Sequence, residues 1–180
     1  MIKNTYTWRR IVTRFDAIPM TLILDEIDRI LLSALQLDAR QTNAELARQV
    51  DLSAAGLHKR LRRLEDAGII TRYVAQVDRE AVGYDMLCFV QVTLQRHESD
   101  AVDNFRHEVQ SMSEVLECHH LTGEFDYLLK VVVRNRKHLE KFILNTLTPV
   151  RGMDKIRTSL VLSEIKATTA IPLSELPQQE

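Results

Sequence analysis

Apolar positions recur at intervals of three and four from about residue 24, and beyond residue 86 the interval becomes two. In the first region Ile27, Ile30, Leu31, Ala34 and Leu35 make the stripe of an amphipathic helix. "QLDARQ" breaks it. "TNAELARQV" restarts the pattern, with Thr42 and Glu45 spaced as a capping box and Leu46, Ala47 and Val50 as the inner side. The turn "VDLS" leads to Ser53, a good N-cap for a third helix from Ala54 to about Ala67, and Gly68 stands where a left-handed C-terminal cap belongs. "IITRYVAQVD" alternates weakly and predicts a short strand followed by an extended connection.

In the second region "MLCFVQVTLQ" (Met86–Gln95) reads as a strand, and Ser99 caps a helix carrying Val102, Phe105 and Val109. "VLECHHL" (Val115–Leu121) is a second strand, "TGEFD" a tight turn that needs Gly123, and "DYLLKVVV" a third strand. "KHLEKFILNTL" predicts a helix and "KIRTSLVLSEIKA" a last strand. The order strand–helix–strand, strand–helix–strand is that of a ferredoxin-like βαββαβ sandwich, so the fold class is α+β. Two crossover helices cover only one sheet face. Yet Leu87 and Phe89 alternate with Cys88 and Val90, and Leu129 and Val131 with Leu128 and Val132. Strands apolar on both sides want cover on both, which predicts a homodimer through this domain.

Charge sharpens the first region. The formal net charge is −1, so the chain is no uniformly basic coat. Lys59, Arg60, Arg62 and Arg63 nevertheless crowd into the third helix. At 100° per residue, Leu57, Leu61 and Leu64 share the inner side. Ala55, Lys59, Arg62 and Asp66 lie opposite, Arg63 and Gly56 beside them, and Arg60 and His58 on the flanks. Small residues at the start with cations behind suit a helix entering a major groove. The competing reading is a solvated helix whose arginines pair with Glu65, Asp66 and Glu45. The DNA-contacting set is Ser53, Ala54, Ala55, His58, Lys59, Arg62 and Arg63, joined by Arg72 just beyond the helix.

Other chemistry is sparse. Cys88 and Cys118 lie in apolar runs outside any CxxC spacing, as expected of a reduced chain. Cys118 and His120 share one strand face and His119 the other, too few ligands for a closed zinc site. No catalytic motif or phosphate-cradling loop stands out, so neither enzyme activity nor a cofactor is expected. The longest apolar run, "YLLKVVV", is interrupted by Lys130, so no membrane partner is expected either. "MIKNTYTWRRIVTRF" is basic, with Trp8, Ile11, Val12 and Phe15 at helical spacing; a surface-seeking or transit helix and a true start at Met20 both fit it.

Four stretches carry a resemblance: "LDEIDRILLSALQLDAR", "TNAELARQVDLSAAGLHKRLRRLEDAGIITRY", "LTGEFDYLL" and "RTSLVLSEIK". In that order and spacing the chain resembles the leucine-responsive regulatory protein/AsnC (Lrp/AsnC) family of transcription regulators, from Leu24 to about Leu173. The resemblance implies an N-terminal winged helix–turn–helix and a C-terminal ferredoxin-like domain that binds an amino acid such as leucine or methionine. It also implies dimers that assemble further, to tetramers or octamers, on double-stranded DNA in the bacterial cytoplasm and nucleoid. The implied effector residues are Gly123, Glu124, Asp126 and Tyr127 at the turn and Thr158, Ser159 and Leu160 on the last strand. Asp126 would accept the effector's ammonium. Where many relatives carry a proline at the start of the recognition helix this chain has "SAAG", so operator sequence cannot be copied across. The expected layout is a loosely attached extension 1–21, the winged helix–turn–helix 22–73, a linker 74–85, the effector and assembly domain 86–173 and a tail 174–180. The alternatives are an architectural DNA-binding protein indifferent to small molecules and, behind it, a metabolite-binding or enzymatic ferredoxin-like protein.

Overall fold

A computed structural model describes residues 23–95 and 99–173, the side chains of residues 99 and 100 excepted. The expectations for 1–21, for 174–180 and for Ser99 as a cap lie outside the described residues. The described residues form two units, 76–167 and 23–75, the latter rejoined by residues 168–173.

The first unit holds three helices: α1 (Glu26–Leu37), α2 (Asn43–Gln49) and α3 (Ala54–Asp66). Asp25 caps α1 in a reciprocal box with Asp28, and Thr42 caps α2 in one with Glu45. Asp51, at φ 51°, makes the left-handed step of the α2–α3 turn, a conformation Asp tolerates because its short side chain bonds locally. Ser53 caps α3 through the Gly56 amide at 3.1 Å, and Gly68, at φ 68°, ends it. Leu31, Leu46, Ala47, Leu57 and Leu61 form the core, with Ile27, Ala34, Leu35, Val50 and Ile70 against it. The α1 stripe is rotated from the expected one. Ile30 is exposed, and Asp28 and Leu32 are buried in its stead, because Asp28 is drawn inward by arginines of α3.

No strand forms over Ile69–Asp78. A lone extended segment has no ladder partner within its own chain, and Tyr73, Val74 and Val77 stay exposed. The residues before the sheet are ordered all the same. Arg79 donates to the Tyr84 and Asp85 carbonyls, both at 3.0 Å, and pairs with Glu164 at 3.3 Å.

The second unit is a four-stranded antiparallel sheet in the order β2-β3-β1-β4, with β1 (Met86–Leu94), β2 (Val115–His120), β3 (Tyr127–Val133) and β4 (Met153–Leu160). Its helices are α4 (Ser99–Ser111) and α5 (Arg136–Lys141); the second half of the expected later helix, Phe142–Leu147, is π-helical. β4 starts earlier than expected and stops at Leu160, since beyond the Val161 amide, which donates to the Leu87 carbonyl at 2.9 Å, it has no partner strand. Cys88, Val90, Val92 and Leu94 interleave with Leu129, Val131 and Val133 beneath Phe105, Val109, Phe142 and Leu147. On the open face Leu87 and Val132, paired in register, are still buried, and Phe89 is exposed. The chain leaves this unit at Ala167, not at 173. Beyond it, the Ile171 amide donates to Gln36 Oε1 at 2.7 Å, and Gln36 Nε2 returns a bond to the Ile171 carbonyl at 3.1 Å.

Candidate functional site

The outer side of α3 is assembled by subtraction. Leu57, Leu61 and Leu64 are buried, which forces the residues between them outward. Ser53, Ala54, Ala55, His58, Lys59, Arg62 and Arg63 are all exposed, as is Arg72. The cations on this helix then divide. Arg60 Nη1 reaches Asp25 at 2.6 Å and Asp28 at 2.9 Å, and Arg63 Nη2 closes on the other Asp28 oxygen. Asp28 is wholly buried, so its charge is met by a guanidinium on each oxygen. These bonds also act on the partners. The hydrogen bonds that Arg60 donates to Asp25 and Asp28 raise its pKa. Burial works against ionisation of Asp25, yet bonds from the Asp28 amide and Arg60 hold its carboxyl below the usual carboxylate range.

This corrects one expectation and goes against the competing reading. Arg63, grouped with the outward cations, is turned to α1. The acids that the competing reading pairs with the arginines are engaged elsewhere or idle: Glu65 accepts from the Tyr73 hydroxyl at 2.9 Å and Glu45 serves its own cap. Lys59, Arg62 and Arg72 have no acidic partner among the described residues. Ser53's hydroxyl is committed to the Gly56 amide, which leaves it a helix cap first. The Asp25–Asp28 clamp was not foreseen. Its signal in the sequence was the Asp pair in "LDEID", three apart at a helix start.

The second candidate lies at the β2–β3 turn. Gly123 sits at φ 124°, which a side chain would strain, and the turn closes through the Leu121 amide onto the Asp126 carbonyl at 2.8 Å. Asp126 is not a free acceptor: its carboxylate takes the Leu94 amide at 2.7 Å, and its own amide donates to Val92 at 3.0 Å. The turn is thereby stitched to the end of β1. Glu124 is exposed, with no partner among the described residues. Tyr127, expected at the effector, is 2% exposed, packs tilted against Phe105 at 4.6 Å and stacks on His120 at 4.8 Å. A core ring in that position cannot touch a ligand without repacking.

On β4 the expected trio also splits, because successive strand residues face opposite ways. Thr158 and Leu160 pair with Val90 and Cys88 and so share the helix-covered side, while Ser159, opposite Phe89, shares the open face. The neighbouring open-face residue is Arg157, whose guanidinium lies over the Phe125 ring of the turn at 5.5 Å. Neither Arg157 nor Phe125 was singled out in the sequence. Only the register that puts Arg157 beside Gln91 brings the two together. On the far side of the face, Glu117 joins Lys130 at 3.2 Å and His119 at 3.1 Å, so His119 and His120 serve different sides of β2.

A helix–turn–helix with free cations on its third helix, joined to a separate βαββαβ unit, defines a two-domain DNA-binding regulator. Comparison with known proteins agrees. The winged helix-turn-helix DNA-binding model matches residues 24–71 and the Lrp/AsnC ligand binding domain model residues 87–171. The leucine-responsive regulatory protein of Escherichia coli K12 is 38% identical over 148 residues, 82% of this chain and 90% of that one. A transcriptional regulator from Neisseria meningitidis, solved in complex with L-methionine, superposes with a TM-score of 0.82 at 39% identity, covering 86% of this chain and all of that one, 100%. AsnC of Escherichia coli gives 0.77 at 29% identity, over 83% of this chain and 99% of its own. The chain belongs to the Lrp/AsnC family of transcriptional regulators. Among the described residues no helix is long and apolar enough to cross a membrane.

Proposed function

We propose that this regulator answers to an amino acid, which binds at the 122–126 turn and changes the protein's assembly or its affinity for an operator. The observation that carries the DNA half is the division of cations on α3: Arg60 and Arg63 are held by Asp25 and Asp28, which leaves Lys59 and Arg62 on an exposed ridge with no acidic partner among the described residues. For the effector half, support comes from the exposed turn and from the methionine complex of the Neisseria relative. The apolar positions left on the open sheet face, Leu87, Phe89, Leu128 and Val132, favour a second copy as cover, and dimers then build tetramers or octamers. Two recognition helices related by a twofold axis read a roughly palindromic site. The protein works in the bacterial cytoplasm on the nucleoid and catalyses no reaction.

A gel-shift assay on the protein's own promoter, repeated with each of the twenty amino acids, tests both halves. A shift at low salt that one amino acid alters supports the proposal. No shift would sink the operator reading, and a shift that no amino acid alters would favour an architectural DNA-binding protein.

A further inference from the structure

An amino acid offers a site two opposite charges, and a site that accepts its ammonium on carboxylates still has to meet its carboxylate. The turn supplies acids freely but no side-chain cation, since its sequence is Thr122, Gly123, Glu124, Phe125 and Asp126. Among the described residues one cation is seen in contact with it: Arg157, reaching from β4 to the face of Phe125. No carboxylate among the described residues pairs with Arg157. We propose that Arg157 binds the effector's carboxylate, with Phe125 as the platform that aims it and Glu124 on the same turn available to the ammonium. This rests on the effector reading above and assigns the residue that would set its chemistry.

The geometry favours this over an idle surface arginine. A cation over a ring face spends none of its N–H donors on a hydrogen bond. The fork is thus held beside the turn with its donors unspent, and a planar fork matches a carboxylate in two parallel hydrogen bonds. Holding it beforehand also reduces the ordering cost at binding. The rest of the open face fits. Leu87, Val132 and Phe89 lie at one end of β1, whereas Arg157 stands opposite Gln91 and Lys155 opposite Thr93, towards the turn. A small ligand at that end, where Leu128 also stands opposite Gln91, leaves Leu87, Phe89 and Val132 to a second copy. Asp126, already committed to the Leu94 amide, holds the turn in place for Phe125 and Glu124.

The test sets the charge on the protein against the charge on the ligand. The full chain is screened by thermal shift against the twenty L-amino acids. Each one that raises the melting temperature is then titrated by calorimetry beside its α-carboxamide, which keeps the ammonium and side chain but lacks the negative charge. The wild type should prefer the free acid by about tenfold or more, the size of a charge-assisted bidentate contact. In Arg157→Ala that preference should vanish, through a loss of affinity for the acid alone. Arg157→Lys should keep part of it, having charge without the fork, and Lys155→Ala should keep all of it. An Arg157→Ala protein that retains the wild-type preference overturns the assignment. So does one that loses affinity for acid and carboxamide alike, which would mark a structural role, or one that changes only the oligomer size, which would mark a contact to a second copy. If no amino acid stabilises the wild type, the effector reading itself fails and this inference falls with it, an outcome distinct from the other three.

Discussion

The two units hold their helices in place by different means. The sheet unit packs Phe105, Val109, Phe142 and Leu147 over a continuous apolar surface of β1 and β3, and its buried residues are hydrophobic throughout the described chain. The three-helix unit has a much smaller apolar cluster, and the buried polar residue of the described chain, Asp28, lies in it. Hydrophobic burial is non-directional; a carboxylate gripped by two guanidiniums fixes both angle and register. The third helix is thus held by an ionic clamp, which uses Arg60 and Arg63 for structure and leaves Lys59 and Arg62 exposed. A large core in one unit lets the effector domain tolerate exposed, charged edges. The small core of the other puts more weight on a few polar contacts.

The contrast breaks most visibly in the sheet unit. Phe105→Ala removes a fully buried ring and should cost about 3–5 kcal/mol, seen as a large fall in the thermal midpoint. A loss under about 1 kcal/mol would mean that the core does not depend on this ring. Next comes the clamp. Asp28→Ala leaves two arginines without their shared partner, but both reach solvent, with side chains 25% and 43% exposed, so the expected cost is nearer about 2 kcal/mol. An apolar side chain at this position cannot restore the orientation: Asp28→Leu should recover part of the stability while operator affinity stays low. Full operator affinity in a stable Asp28→Leu protein would show that the clamp does not aim α3.

A smaller effect separates the two classes of cation. Lys59→Ala or Arg62→Ala should leave the midpoint nearly unchanged and flatten the dependence of operator affinity on salt by about one unit of slope, because one phosphate fewer is neutralised. Arg60→Ala should do the reverse, lowering the midpoint with the slope unchanged. Equal slopes in all three would erase the division. Smallest is the acid limb. The Asp25 carboxyl titrates below its ordinary 3.8 in the folded protein, so its stabilising contribution is complete above that value. It fades as pH drops through the lower folded value. The stability gap between wild type and Asp25→Asn should therefore be present at about pH 6 and close on acidification below about pH 4. A gap that stays constant down to about pH 2 would detach Asp25 from the clamp.

Asp126 shows how a residue can be found in the sequence while one of its bonds stays hidden. Its place at the turn was legible because Gly and Asp mark tight turns, and the resemblance then marked it for the effector. The sheet register reveals the cost of that role: the carboxylate already holds the Leu94 amide. Asp126→Ala is therefore expected to loosen the turn as well as any ligand, a loss of about 1 kcal/mol in the midpoint measurement. Tyr127 is a similar case, adjacent in sequence but turned into the core by strand alternation.

What the sequence determined by itself is local. Apolar period, the helix caps at Thr42 and Ser53, the glycines after α3 and in the β2–β3 turn, and the doubled strand–helix–strand order all follow from interactions within a few residues, so they survive without knowledge of the rest of the chain. Tertiary structure decided which charges are spent. Asp28 meets Arg60 and Arg63 from 32 and 35 residues away, and Arg157 reaches Phe125 only because β4 pairs with β1 in one register. A helical wheel gives each side chain a direction but not its partner. Charge is neutralised by whatever the fold brings within a few ångströms, and that distance is set by packing between elements, not by position along the chain.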